Sequence, residues 1–280
     1  MDNKLKNLLF NNGVRLKKAY GQNFLTDESL LAEIAEKAGI KSTDTVLEIG
    51  CGAGALTKVL SEKAGKVVGY EIDERLKPVL KETLKDCGNV TLEFKDIMKE
   101  TPQNLKRLLG EKYKIVANLP YYITTPVIMK FLENSDGVLS MTVMVQDEVA
   151  ERFAAKAGDS DYGAITVGIT LRGSAEIVMR VGREKFFPVP NVDSAVVRID
   201  IDKDKFKGMD LAAVRETVKA AFSGRRKTLE NNLINAMGIK RETAKKCIED
   251  CGFSPLCRGE TLSAEDFVLL TEKIKEARNG

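Results

Sequence analysis

The sequence predicts an α/β fold, an open and mostly parallel sheet wound by helices on both faces, with a small helical domain at the C-terminal end. Three observations carry that expectation. From residue 44 onward, short apolar runs rich in β-branched residues alternate with amphipathic stretches, the pattern of successive β-α units joined by right-handed crossovers. The runs close in glycine-rich or acidic turns, as at the carboxyl edge of a ligand-binding sheet. After Leu211 the strand pattern gives way to helical spacing of apolar residues.

In chain order, Asp27–Gly39 reads as a helix, with Thr26 as its N-cap and Gly39 just beyond its end. Thr45–Ile49, Lys66–Ile72, Val90–Ile97, Tyr113–Ala117 and Met141–Val145 read as strands. Several are almost continuously apolar, which suits a sheet buried on both faces. Leu56–Lys63, Glu74–Asp86, Gln103–Leu109 and Pro126–Leu132 read as the helices between them. Past Gly163, the segments Ala164–Leu171, Ala175–Val181 and Ala195–Ile201 read as strands without long helices between, so the sheet is expected to finish antiparallel. Asp202–Met209 is polar enough for a linker. Leu211–Ser223, Lys227–Met237, Arg241–Cys251 and Ala264–Ala277 read as helices. The expected division is a catalytic domain over 1–206, with a basic arm over 1–20, and a helical domain over 207–280.

Composition narrows the chemistry. With 43% hydrophobic and 30% charged residues over 280 positions, the chain reads as an ordinary globular protein. It has no run of about 18 apolar residues to span a membrane. Met1–Phe10 lacks the sustained apolar core of a secretory signal, so a cytoplasmic location is expected. The five cysteines show no C-x-x-C spacing, so they read as reduced thiols and no metal site is expected. Histidine is absent altogether, which excludes every Ser-His or Cys-His mechanism. The net charge of +3 says little, but its distribution says more. Lys4, Lys6, Arg15, Lys17 and Lys18 have no acidic residue among them, and Arg225-Arg226-Lys227 form a second block. Such blocks suit a phosphate backbone, although a solvated surface would carry them too.

The first strand runs into Glu48-Ile49-Gly50-Cys51-Gly52-Ala53-Gly54. Glycines at this place let the backbone turn tightly and approach a ligand. The order is G-x-G-x-G rather than the G-x-G-x-x-G of dinucleotide binding, and Glu48 precedes it. A cationic sulfonium with an amino-acid tail tolerates that carboxylate better than a pyrophosphate does, which points to S-adenosylmethionine. The second strand ends Glu71-Ile72-Asp73, where Glu71 is placed to accept both ribose hydroxyls and Asp73 could instead cap a helix. The third ends at Asp96-Ile97, with Asp96 placed to accept from an adenine amino group and Ile97 to pack on the ring.

The fourth strand ends Asn118-Leu119-Pro120-Tyr121. An aromatic amine such as adenine N6 is a poor nucleophile, because its lone pair is delocalised into the ring, and it is too weakly acidic to deprotonate. Two acceptors aimed at its protons, the Asn118 side-chain oxygen and the Leu119 carbonyl, favour a pyramidal nitrogen, with Pro120 holding them rigid. Tyr121 would stack on a flipped base. Transfer then relies on proximity and orientation, and the proton leaves to water, so histidine is not needed.

With these residues in place, the chain resembles the KsgA/RsmA family of small-subunit rRNA adenine-N6 dimethyltransferases over essentially its whole length. Gly21-Gln22-Asn23-Phe24-Leu25 resembles the family's N-terminal cofactor motif. By that resemblance Asn23 and Leu25 contact the methionine portion, and Gln22, Gly50, Gly52, Glu71, Ile72, Asp96, Ile97 and Asn118 are further cofactor-binding positions. Phe186-Phe187-Pro188-Val189-Pro190-Asn191-Val192-Asp193-Ser194 is similar to the family's F-x-P-x-P-x-V-D-S segment. The resemblance implies that Phe186 faces the target base opposite Tyr121, although Phe186 and Phe187 could be plain core aromatics. Phe222-Ser223-Gly224-Arg225-Arg226-Lys227-Thr228-Leu229 resembles the basic C-terminal motif, an RNA contact together with Lys17 and Lys18. Cys51 stands where many members carry proline.

The resemblance implies a Rossmann-like class I methyltransferase sheet and dimethylation of two adjacent adenosines near the 3′ end of 16S rRNA in the 30S subunit, by a monomer. The alternative is the related 23S rRNA adenine-N6 methyltransferase of the macrolide-resistance type. The Leu119-Pro120-Tyr121 sequence and the full basic motif favour the first reading. A DNA adenine methyltransferase lacks support, since no added target-recognition domain is visible. A purely binding assembly factor sits poorly with an intact catalytic motif, and a nicotinamide dehydrogenase fails on the glycine spacing.

Overall fold

The apolar runs form the centre of a seven-stranded sheet. The computed structural model describes residues 3–14, 23–25, 27–134 and 136–279. Its first half contains α1 (Asn3–Asn11), β1 (Phe24–Leu25), α2 (Glu28–Lys37), β2 (Thr45–Ile49), α3 (Ala55–Lys63), β3 (Lys66–Tyr70), α4 (Lys77–Thr83), β4 (Val90–Glu93), α5 (Pro102–Leu109) and β5 (Tyr113–Asn118). There follow α6 (Thr124–Asn134), β6 (Val138–Gln146), α7 (Asp147–Ala154), α8 (Ala164–Thr170), β7 (Gly173–Val181), β8 (Phe186–Phe187) and β9 (Ser194–Ile201). The chain ends in α9 (Leu211–Ala221), α10 (Leu229–Met237), α11 (Arg241–Asp250) and α12 (Ala264–Asn279).

β2 pairs in parallel with both β3 and β5, β4 adds to β3 and β6 to β5, and β9 lies antiparallel to β6. The parallel strands and the antiparallel finish agree with the sequence expectation. Apolar residues fill β2, β3 and β6 on both faces because helices cover them, and every residue from Val46 to Ile49 is buried. A fully buried leucine such as Leu60 on α3 contributes roughly 1.5–3 kcal/mol. Ile49 stands opposite Tyr70 and Tyr70 opposite Glu93, so these three strands end level at one carboxyl edge. The strand order turns back at β2, between β3 and β5, where an open α/β sheet leaves a ligand crevice.

The chain divides into two units, Met1–Ala150 with Ala175–Ile201, and Glu151–Ser174 with Asp202–Gly280. The second unit is therefore assembled from two stretches rather than from 207–280 alone. The reason is packing: Tyr162, Val167 and Leu171 share an apolar cluster with Val214, Leu233, Ile248 and Phe267. Tyr162 also donates to the Leu262 carbonyl at 2.9 Å.

Several expectations change in detail. Ala164–Leu171 is not a strand; Ala164–Thr170 is helix α8. Ile165, Thr166, Val167, Gly168 and Ile169 are all buried, so the run carries no periodicity to tell helix from strand. Thr166 fixes the helix start by accepting from the Gly163 N–H at 3.2 Å and donating to the Arg152 carbonyl at 2.6 Å. The N-cap of α2 is Asp27, which accepts from the Leu30 N–H at 3.3 Å, and Thr26 lies outside the described residues. The third strand stops at Glu93, well short of Ile97. Helices α1 and α7 have no counterpart in the sequence expectation.

Candidate active site at the carboxyl edge

Backbone conformation explains the glycine loop. Gly50, Gly52 and Gly54 adopt φ of +80°, +55° and +85°, where side chains other than glycine are strained. A Cβ on Gly52 would also come within 3.0 Å of the Phe24 ring. The loop frees its amides to point across the edge, and the Gly52 N–H donates to Glu71 Oε2 at 2.8 Å. The Asp73 N–H donates to Glu71 Oε1, also at 2.8 Å. Each Glu71 oxygen thus uses one acceptor site on backbone and keeps capacity for another donor. Burial pushes the Glu71 carboxyl above its ordinary value, against the pull of the Asp73, Gly52 and Ile72 amides. Asp73 is the capping residue weighed in the sequence: its side chain accepts from the Arg75 N–H and pairs with the Arg75 guanidinium.

A cavity of about 1050 Å³ opens along this edge. Asn23, Leu25, Gly50, Gly52, Glu71, Ile72, Asp96, Ile97, Asn118, Leu119, Pro120 and Tyr121 all line it. Ile72 is 50% exposed, an apolar surface left uncovered at the cavity wall. Asp96 accepts from the Met98 N–H at 2.9 Å, which fixes its carboxylate at the end of the third β-α unit.

Asn118 ends β5, and its Nδ2 donates to the Asn23 carbonyl at 3.2 Å. Only the amide nitrogen can donate to a carbonyl, so the bond defines which way the amide is turned and commits one of its two N–H groups to the protein. The Asn23 carbonyl is held in turn by the short ladder of β1 on β8, with Phe24 opposite Phe187 and Leu25 opposite Phe186. Gly50 lies under the same turn, with the Asn118 carbonyl 3.6 Å from where its Cβ would be. Tyr121 begins a one-turn 3-10 segment after Pro120, and its hydroxyl lies 3.1 Å from Ser194 Oγ.

Two features add to the sequence expectation: the burial of Glu48, whose neighbourhood to the ligand the glycine motif already implied, and Asn232. Glu48 is 1% exposed, lines the cavity, and its Oε2 has no hydrogen-bond partner among the described residues. Burial pushes its carboxyl up to about 8, with Glu71 adding to the rise and Thr57 and Cys51 opposing it. Asn232 is the second. It is 2% exposed and donates Nδ2 to the carbonyls of Ala221 at 2.6 Å and Gly224 at 3.1 Å, clamping the turn that carries Arg225, Arg226 and Lys227. Those three side chains are exposed. Their buried anchor is apparent only once α9 and α10 are packed.

One expected site residue is corrected. Phe186 does not face an open base site: it is 4% exposed and packs in the core with Leu25, Leu31, Val181 and Val196. The alternation of β8 turns Phe186 inward and leaves the half-buried neighbour Phe187 as the more exposed ring. Gln22, Lys17 and Lys18 lie outside the described residues.

The pocket fits S-adenosylmethionine by its chemistry: a glycine cradle, a buried carboxylate with spare acceptor capacity, an unsatisfied buried Glu48 oxygen open to a further donor, and Ile72 exposed as an apolar wall. Among the described residues no helix is long and apolar enough to cross a membrane. The family described as ribosomal RNA adenine dimethylase matches residues 13–274. The chain is 40% identical over 98% of its length to ribosomal RNA small subunit methyltransferase A of Bacillus licheniformis, covering 96% of that protein. It is 42% identical over 97% of its length to the protein of the same name from Bacillus cereus, again covering 96%. Among solved structures, a dimethyladenosine transferase from Plasmodium falciparum aligns with a TM-score of 0.75 and 28% identity, over 90% of this chain and 98% of that one. The 23S rRNA methyltransferase ErmE aligns with a TM-score of 0.68 and 28% identity, over 90% and 99%. The fold, the crevice at the carboxyl edge and these matches agree, and the chain belongs to the ribosomal RNA adenine dimethylase family of S-adenosylmethionine-dependent methyltransferases.

Proposed function

We propose that the protein dimethylates N6 of two adjacent adenosines near the 3′ end of 16S rRNA within the 30S subunit, acting in the cytoplasm as a monomer. The observation that carries the reading is the Asn118 amide: its nitrogen is turned to the Asn23 carbonyl, so its oxygen is the acceptor left to meet a substrate amine. S-adenosylmethionine supplies an electrophilic methyl carried on a sulfonium.

The chain's own residues bind and orient. Glu71 accepts the ribose hydroxyls, Asp96 accepts from the adenine amino group, and Ile72 and Ile97 cover the purine faces. Asn23, Leu25, Gly50 and Gly52 border the amino-acid end, with Gln22 and Lys17 and Lys18 assigned by the sequence alone. At the reacting nitrogen, Asn118 Oδ1 and the Leu119 carbonyl accept the two amino protons. That pair localises the lone pair and orients it, and Pro120 keeps the carbonyl from turning away. Tyr121 stacks on the flipped base. Arg225, Arg226 and Lys227 contact phosphates, which position the RNA without reading its sequence.

The 23S reading is not favoured, since the relatives at 40–42% identity are named for the small subunit while ErmE is 28% identical. The test is transfer of labelled methyl from S-adenosylmethionine to unmethylated 30S subunits, with 23S rRNA in parallel. Label recovered as N6,N6-dimethyladenosine in 16S rRNA alone supports the proposal; label in 23S rRNA overturns the substrate assignment.

A further inference from the structure

Ser194 is an unusual residue for its position. It opens β9, is 0% exposed, and stands opposite Gln146 in antiparallel register, followed by buried Ala195, Val196 and Val197. A buried hydroxyl costs free energy unless it is hydrogen-bonded, and alanine would fill this strand without that cost. The described partner of Ser194 Oγ is the Tyr121 hydroxyl at 3.1 Å, 73 residues away in the chain. The backbone beneath Tyr121 is already secured locally, with the Ile123 N–H donating to the Pro120 carbonyl at 3.1 Å and Thr124 Oγ1 donating to the same oxygen at 3.4 Å. What those bonds leave loose is the ring, which turns about two side-chain torsions. A bond at the far end of the ring holds the first torsion, which swings the hydroxyl, and ties a loop side chain to the rigid sheet; the hydroxyl lies on the axis of the second torsion, which the bond leaves to the ring's other contacts. Stacking itself uses only the ring faces, so a phenylalanine would stack as well; the hydroxyl's contribution is position.

We propose that Ser194 is a positioning residue for the target base: through its hydrogen bond to Tyr121 it holds the ring at the place where the flipped adenine stacks. The inference rests on the reading of Tyr121 as the stacking platform. Ser194 does not line the cavity and acts through Tyr121.

The test is a double-mutant cycle on the full-length protein with S-adenosylmethionine and unmethylated 30S subunits, measuring kcat, KM for 30S and cofactor affinity by calorimetry. Tyr121→Phe and Ser194→Ala each delete one end of the bond, and Tyr121→Phe does so without disturbing β9. Each is expected to lower kcat/KM about 3- to 10-fold, the range of one hydrogen bond. Cofactor affinity should stay within about twofold, and the double variant should be no worse than the poorer single one. Losses that multiply in the double variant, or a Ser194→Ala enzyme equal to wild type, would overturn the proposal. Tyr121→Ala separates the two readings. If it is crippled while both conservative variants match wild type, Tyr121 is a platform and the Ser194 inference alone fails. If Tyr121→Ala retains activity within a few-fold, the platform reading fails and the Ser194 inference with it.

Discussion

Asn118 and Glu48 differ in how their polar atoms are satisfied. The Asn118 amide is oriented because its nitrogen has a partner in Asn23, whereas Glu48 holds an oxygen that has none among the described residues. For Asn118, truncation to alanine removes an acceptor and nothing structural beyond one bond to a strand-end carbonyl. We therefore expect Asn118→Ala to lower kcat at least about 100-fold, the scale seen when a preorganised polar group is removed from a reacting centre. Its circular dichroism and melting temperature should stay near wild type, and turnover within a few-fold of wild type would remove Asn118 from the chemistry. For Glu48 the consequence is a pH dependence. Its ordinary value of 4.5 is raised to about 8 in the folded chain. Between those values the unfolded chain is ionised while the folded chain keeps its proton, so folding takes up a proton and stability falls as pH rises. The contribution is fully present below about pH 4.5 and is lost as pH climbs through about 8. Melting of the cofactor-free protein should therefore decline more steeply from about pH 5 to about pH 8 than melting of Glu48→Gln. Parallel curves would show that Glu48 titrates normally.

At the scale of elements, the sequence discloses what periodicity and turn chemistry encode. The strands that lead into Gly50, Glu71 and Asn118 are legible because each couples an apolar run to a residue type with a defined task. Helix α8 is not, since a segment buried on every side has no polar face to set a period. The same limit hides the membership of Glu151–Ser174 in the helical unit, which depends on Tyr162, Val167 and Leu171 meeting side chains from beyond residue 210. Phe186 escapes sequence reasoning for a related cause: a two-residue strand has alternating faces, and only its pairing with Phe24–Leu25 shows which aromatic turns inward. The Asn232 clamp is a further long-range feature, joining the end of α9 to the turn before α10. Asn232→Ala leaves the Ala221 and Gly224 carbonyls without that donor, and about 1–3 kcal/mol of stability should disappear in a denaturant titration. RNA affinity should fall as well, although no charge has been removed. A variant with native stability and native RNA binding would show that the turn holds itself.

Over the whole molecule, charge is nearly balanced, so attraction to RNA cannot come from the net +3 and must come from where the cations sit. Many of the other exposed lysines and arginines are neutralised locally: Lys77 by Glu74, Lys106 by Glu111, Lys207 by Asp204 and Lys275 by Asp210. The turn at Arg225, Arg226 and Lys227 differs, with three consecutive exposed cations and no ion pair among the described residues. Cations held this way release counterions from a phosphate backbone when they bind, and the logarithm of affinity then falls linearly with the logarithm of salt concentration. Reversing Arg225→Glu and Arg226→Glu together leaves about two phosphates without a cation and adds repulsion. The salt slope should become shallower by roughly 1.4–1.8, since each neutralised phosphate accounts for about 0.7–0.9 of it. The variant should bind 30S subunits more weakly at low salt and approach wild type at high salt, with cofactor affinity unchanged. Because the turn lies in the unit of Asp202–Gly280 and the cofactor crevice in that of Met1–Ala150, an equal drop in cofactor binding would point to misfolding rather than to weakened RNA recognition. An unchanged slope would mean that phosphates are met elsewhere, and the basic block would then be ordinary solvated surface.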